Sequence, residues 1–307
     1  MSGLKTSTPD DALVAYLADA RARVDAVLES WGVRAREWWP APVPAAMRYS
    51  LLSTGKRLRP TLVFAAAEAV AGEAAAERVA ELAAAVEVVH AYSLVHDDLP
   101  CMDNDDLRRG RPTTHRAFDV PTAVVAGYHM VALGARVLDA GLAALAPEAR
   151  RGIALELFRA AGAGGMIGGQ ALDLEAEGRR LPATELEDVH RRKTGALISA
   201  ACVIGAMAAG APGAICEALR GYGADVGLAF QIYDDVLDAT ATSDQLGKTA
   251  GKDAAGGKST FVTLLGAKAA RAEAERLATR AVDRLGEAGL ISPTLAALAR
   301  YIVTRPN

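Results

Sequence analysis

The chain has 307 residues, enough for one large domain or two ordinary ones, and 51% of them are hydrophobic, so a substantial core can be buried. A formal net charge of −3 excludes nucleic-acid binding through a broad basic surface, although a net value can hide a locally basic pocket. The cysteines, Cys101, Cys202 and Cys216, make no metal-ligand pattern and predict a reduced, cytoplasmic setting. The N-terminal MSGLKTSTPDD lacks the apolar core of a secretory signal.

Ala, Leu, Glu and Arg dominate, only 5% of residues are aromatic, and β-branched alternation is scarce, which predicts an all-α chain. Residues 1–9 are expected to be a flexible N-terminus. Asp10 to Ser30 reads as a first amphipathic helix, with Leu13, Leu17, Val24 and Leu28 near one face. Pro40, Pro42 and Pro44 predict a loop. Further helices are expected over 45–54, 60–71, 76–98, 121–141, 147–162, 184–209, 214–238, 258–286 and 292–303. The uncharged run from Gly195 to Ile215 is long enough to span a bilayer. Its Ala and Gly content, with Gly210, Pro212 and Gly213, instead predicts a tightly packed core helix followed by a turn. No linker and no repeat divides the chain, so residues 1–307 are expected to form a single helical domain with a central bundle.

Carboxylates carry the chemical signal. A first cluster runs His96-Asp97-Asp98-Leu99-Pro100-Cys101-Met102-Asp103-Asn104-Asp105-Asp106, and a second runs Gln231-Ile232-Tyr233-Asp234-Asp235-Val236-Leu237-Asp238. Each follows an apolar helical segment. Asp234 and Asp238 lie about 40° apart on one helix face, where they repel unless a cation sits between them. Magnesium takes such hard oxygen ligands and shares itself with substrate phosphates. Asp97 and Asp103 would be about 240° apart on a regular helix. Pro100 resolves this by ending the helix near Leu99, so that a short loop can return Asp103 toward Asp97. The bland alternative is an acidic helix end in solvent, which an unfavourable helix dipole weakens.

Cations interleave with these clusters: Gly55-Lys56-Arg57-Leu58-Arg59-Pro60, Arg108-Arg109-Gly110-Arg111, Lys193-Thr194, and Lys248, Lys252 and Lys258. Any one basic run is ordinarily solvated surface. Together with acidic metal sites they suggest a diphosphate site, where Mg²⁺ and Lys or Arg share the oxygens. The sequence argues against a nucleotide loop, because Thr242 stands where Gly247-Lys248-Thr249 would need glycine, and Gly257 breaks the string that begins at Gly251.

The chain resembles the trans-isoprenyl diphosphate synthases, most closely the bacterial farnesyl diphosphate synthases. The matching segments are GKRLRP at 55–60, VEVVHAYSLVHDDLPCMDNDDLRRGRPTTH at 86–115, GGQALDLEAEG at 168–178, HRRKTGAL at 190–197, GLAFQIYDDVLD at 227–238 and LGKTAGKDAAGGKST at 246–260. The resemblance implies a helical bundle around a central cavity and transfer of an allylic diphosphate to isopentenyl diphosphate. It implies three Mg²⁺ ions, two held by Asp97 and Asp103 and a third by Asp234 with support from Asp238. Arg108, Lys193, Thr194, Gln231, Lys248 and Lys258 would surround the allylic substrate. Lys56, Arg59, His90 and Arg109 would hold isopentenyl diphosphate; His90 and Asp97 do share a helix face about two turns apart. Lys193, Thr194 and Gln231 would carry the catalysis, the Thr194 carbonyl and Gln231 side chain facing the carbocation.

In this family, residues four and five before the first aspartate shape the pocket floor. Here they are Ser93 and Tyr92, and with the inserted Pro100-Cys101 they imply farnesyl diphosphate as product, with geranylgeranyl diphosphate as runner-up. One departure is Gly127-Tyr128-His129-Met130, where the family commonly has Gly-Asp before apolar residues. The resemblance further implies a homodimer. A class I terpene cyclase would not need Lys56, Arg59 and His90, and a non-catalytic partner subunit would have lost an aspartate cluster.

Overall fold

The structure is a computed structural model that describes residues 9–240 and 259–305. Lys248, Lys252 and Lys258, and all of the expected N-terminal tail except Pro9, lie outside those residues.

Helix α1 (Pro9–Arg34) is longer than its periodicity predicts. It buries Leu13, Ala20, Val24, Leu28 and Trp31 along one side, with Leu17 packed partly against the core. A short 3₁₀ turn (Ala35–Glu37) leads to α2 (Val43–Leu51). Pro44 belongs to the first turn of α2 rather than to a loop, because the amide it lacks would have no helical partner there. Next come α3 (Leu58–Ala71), the short α4 (Glu73–Glu77) and α5 (Ala80–Asp97). A two-stranded hairpin, β1 (Leu107–Arg108) against β2 (Arg111–Pro112), pairs Arg108 with Arg111. After α6 (Thr114–Ala117) come α7 (Val120–Leu142), α8 (Pro147–Ala161), α9 (Met166–Glu175) and α10 (Ala183–His190). A π-helical turn (Arg191–Gly195) joins α10 to α11 (Ala196–Ala208). Then follow α12 (Gly213–Thr240), α13 (Phe261–Leu265), α14 (Ala267–Glu287) and α15 (Pro293–Thr304).

Helices α3, α5 and α11 are apolar nearly all round, and that is why they sit in the middle. Every residue from Leu197 to Ala206 is buried, so the uncharged run is a core helix, and the turn after it passes through Gly210 at φ 79°. Among the described residues, α7 alone is long and apolar enough to cross a membrane, and one side of it packs on α5. Helix α12 is held by its polar residues as well as its apolar ones. The Tyr222 hydroxyl donates to the Leu295 carbonyl at 2.8 Å. Asp225 accepts from Arg280 Nε at 2.9 Å and Arg284 Nε at 2.8 Å, both on α14.

Further expectations are corrected, among them the helix expected over 76–98, which is interrupted between Glu77 and Ala80. The stretch between 162 and 184, expected to be irregular, contains α9. The helix expected over 184–209 changes to π geometry in its middle. The helix expected over 258–286 is broken at Gly266, whose φ of 81° only glycine adopts freely, leaving α13 and α14 as separate pieces.

Candidate active site

The C-terminal end of α5 is a tight acidic turn. The amide of Asp103 donates to the Asp97 carbonyl at 2.8 Å, and that of Asn104 to the Leu99 carbonyl at 3.1 Å. Asn104 takes the left-handed conformation (φ 48°) that the reversal requires. Asp103 is thus returned to Asp97, as Pro100 predicts. One Asp103 oxygen, Oδ1, is buried with no partner. Burial pushes Asp97 up to about 6 against the pull of Lys193, and the charge of Asp103 adds to the rise. A pair of crowded, desolvated carboxylates with a free oxygen fits a divalent cation, which would remove the repulsion and satisfy that oxygen. Asp98 is used differently: it is buried and accepts from Arg108 Nε at 2.8 Å and Nη2 at 2.5 Å.

On α12, Asp234 and Asp238 are half-buried on one face while Asp235 turns inward. Asp235 accepts the Phe261 amide at 2.8 Å, fastening the start of α13, and lies 3.9 Å from His190 Nε2. Asp234 pairs with the buried guanidinium of Arg305, which also lies 4.2 Å over the Phe230 ring. Among the described residues no three His, Cys, Asp or Glu side chains form a metal cage.

The basic residues divide by role. Arg57 is buried at a left-handed position (φ 48°), donating to Asp25 at 2.8 Å, Glu87 at 2.7 Å and the Leu51 carbonyl at 2.7 Å. This anchor leaves its neighbours Lys56 and Arg59 to the site. Arg59 Nε is buried without a partner. Burial lowers Arg59 to about 10 against the attraction of Glu87, with Arg109 adding to the fall. Burial lowers Lys56 as well, helped by Arg305. Burial, then Arg59 and Arg109, hold His90 well below the ordinary imidazole value, so it is neutral there. Arg109 stands at the hairpin turn (φ 54°) and reaches Ser53 Oγ at 3.4 Å. These groups raise one another's electrostatic cost, and an anion would lower it.

A cavity of about 460 Å³ runs from these polar groups into an apolar interior. Arg59, His90, Asp97, Lys193 and Thr194 line its polar part; Tyr92, Met102, Val131, Met166 and Ile167 line the rest. Arg59, which lines the cavity together with Asp97, also feels the charge of Asp234. Lys193 Nζ contacts Asp173 Oδ2 at 2.7 Å, and the Thr194 hydroxyl donates to Gln231 Oε1 at 3.1 Å. Both residues lie in the π turn, a geometry common at functional positions because it breaks the regular carbonyl ladder. Gln231 is not part of the cavity wall, while Gln170 is. At the floor, Tyr92 meets His96 edge-on (centroids 5.8 Å), and His96 meets Tyr128 (5.3 Å). Ser93 Oγ donates to the His90 carbonyl at 2.8 Å.

The polyprenyl synthetase family profile matches residues 41–289. This chain belongs to the polyprenyl synthetase family. Farnesyl diphosphate synthase of Escherichia coli is 45% identical over 269 residues, covering 86% of this chain and 89% of that one. Geranylgeranyl pyrophosphate synthase 9 of Arabidopsis thaliana is 44% identical over 275 residues, covering 87% of this chain and 75% of its own length. A crystal structure of geranyltransferase from Helicobacter pylori, complexed with magnesium and isoprenyl diphosphate, superposes with a TM-score of 0.80 at 30% identity over 98% of both chains. An apo structure of an FPP/GFPP synthase from Zymomonas mobilis gives 0.77 at 36% identity, over 94% of this chain and all of the other. This polyprenyl synthetase is therefore an all-α enzyme and a short-chain prenyltransferase.

Sequence reasoning missed Arg305, Gln170 and Asp173. A Gly-Gly-Gln-x-x-Asp string at 168–173 signals the last two, but their roles depend on a helix that periodicity does not show. Nothing in an isolated near-terminal arginine marks it as a partner for Asp234.

Proposed function

We propose that this enzyme condenses isopentenyl diphosphate with dimethylallyl or geranyl diphosphate and stops at farnesyl diphosphate. The observation that carries the product length is Tyr92, buried on α5 and lining the cavity one and a half turns from Asp97. Its ring, braced edge-on by His96, closes the direction in which the hydrocarbon grows. Relatives making either product are similarly close in sequence, so the floor rather than overall likeness supports the choice.

Asp97 and Asp103, with Asp234 and Asp238 opposite, would hold Mg²⁺, three ions in this reading. Bound there, magnesium neutralises charge on the departing diphosphate. Asp234 must exchange Arg305 for that role. Lys56, Arg59, Arg109 and neutral His90 bind the isopentenyl diphosphate, whose oxygens satisfy the orphaned Arg59 Nε. Lys193 and Arg108 flank the allylic diphosphate, Lys193 held by Asp173 and Arg108 by Asp98; Lys248 and Lys258 are assigned there too. The C–O bond of the allylic substrate breaks and its electron pair leaves with the diphosphate. Thr194 and Gln231 stabilise the carbocation, the double bond of isopentenyl diphosphate attacks it, and a proton passes to the released diphosphate. The apolar walls exclude water, which would otherwise quench the cation.

The working unit in this proposal is a cytoplasmic homodimer. Val125, Tyr128 and Val131 are exposed on α7, and a second copy would cover them. The cysteines are all free, in keeping with a reduced compartment. The deciding experiment is chromatography of products from labelled isopentenyl diphosphate with primers of different length. Farnesyl diphosphate as the end point from dimethylallyl and geranyl primers is expected; steady extension to geranylgeranyl diphosphate would overturn the product assignment.

A further inference from the structure

We infer that Gln170 is a catalytic residue of prenyl transfer, its side-chain carbonyl facing the electron-deficient allylic carbon. The assignment rests on the prenyl-transfer reading of the cavity, not on product length. Gln170 is nine-tenths buried, at 8% exposure, and neither Oε1 nor Nε2 has a hydrogen-bond partner. A buried carboxamide is ordinarily satisfied on both sides, so an unpartnered one lining a substrate cavity awaits something that the protein itself does not supply.

Its placement is built into the backbone. Helix α9 lies so close to the π turn that a Cβ on Gly169 would come within 2.1 Å of the Lys193 amide nitrogen. This contact sets Gln170 beside Lys193 and Thr194. Along α9, Met166, Gln170 and Leu174 recur every fourth residue on the cavity side, with Gln170 the polar member. The cavity is apolar beyond that point, so an amide dipole there acts through little screening.

The chemistry favours a carboxamide. A carboxylate facing the cation would attract it more strongly but could capture it as an ester. An amide oxygen is neutral and a poorer nucleophile, so it stabilises charge without trapping it. Gln231 Oε1 already accepts from the Thr194 hydroxyl, whereas both polar atoms of Gln170 are uncommitted, so Gln170 adds to the stabilisation assigned to Thr194 and Gln231. No bond to Gln170 forms or breaks. The electron pair of the C–O bond leaves with the diphosphate, the cation is consumed by the new C–C bond, and the proton departs with the diphosphate.

Binding separates this role from a structural one. Gln170→Leu and the unbranched Gln170→Met are compared with wild type for affinity toward two allylic analogues. One is a non-ionisable thiolodiphosphate; the other carries an ammonium group in place of the allylic cation, with inorganic diphosphate present. The substitutions should weaken the ammonium analogue roughly tenfold or more and leave the thiolodiphosphate within about threefold. Turnover should fall roughly tenfold or more with the KM values little changed, while thermal unfolding stays at or above wild type. Equal losses for both analogues, or an unchanged affinity for the ammonium compound, would overturn the assignment. Should the leucine variant fail to fold, the methionine variant decides by the same readouts. Wild-type turnover checks the reaction itself separately.

Discussion

The division of labour among neighbouring residues is sharpest in the GKRLRP segment. Arg57 spends its charge on Asp25 and Glu87, whereas Arg59 keeps a buried nitrogen free. Arg57→Ala should therefore unfold the enzyme more readily by about 3–5 kcal/mol, because it leaves Glu87 buried and unpaired; denaturant melts would read this. Arg59→Ala should instead raise the KM for isopentenyl diphosphate. Asp97→Ala should cut turnover by orders of magnitude with the fold intact, and near-normal activity would reject its place among the metal ligands. Tyr92→Ala should lengthen the product by at least one isoprene unit, read by product chromatography; an unchanged product would remove Tyr92 as the floor. The acidic turn was legible because Pro100 ends the helix and lets Asp103 come back toward Asp97. Arg305 and Gln170 were not, because one matters through a long-range pairing with Asp234 and the other through burial without a partner, and neither exists until the chain is folded.

At the level of elements, the long amphipathic and apolar helices were readable from periodicity, while α9 and the π turn were hidden. Helix α9 is introduced by glycines at 162, 164 and 165, whose composition signals a loop. What stabilises it is contact with the π turn, a tertiary effect outweighing local propensity. Gly169→Ala tests this: its methyl would meet backbone rather than a yielding side chain, so α9 must shift. A loss of about 1–3 kcal/mol in stability is expected, with a larger proportional loss of activity. Unaltered melting would mean that α9 docks less closely than described.

In the proposed function, proton and metal binding are coupled across the whole molecule through Asp97. Asp97, lifted to about 6 by burial, holds its proton where free carboxylates do not. The protonated form therefore supports the metal-free fold at low pH, and that support is lost as pH rises through about 6. Magnesium needs the carboxylate, so its binding should expel a proton near pH 6 or below and none at about pH 8. Calorimetry in buffers of different ionisation enthalpy would detect the difference, and equal proton release at both values would contradict the burial of Asp97. The all-α architecture was foreseeable from composition. The exposed stripe on α7 was not, since an apolar helix looks alike whether its outer side meets solvent or a second copy.

The π turn carries one residue more per turn than the helices on either side of it. Deleting a single residue between Arg191 and Gly195 would let α10 and α11 merge into one unbroken rod. It would also change the facing of the side chains within that turn. The shortened chain could gain helical regularity and still be inert, since Lys193 and Thr194 would no longer face the substrate. On the proposed function the less regular helix is the working one, and a design that tidied it would repair the scaffold at the expense of its purpose.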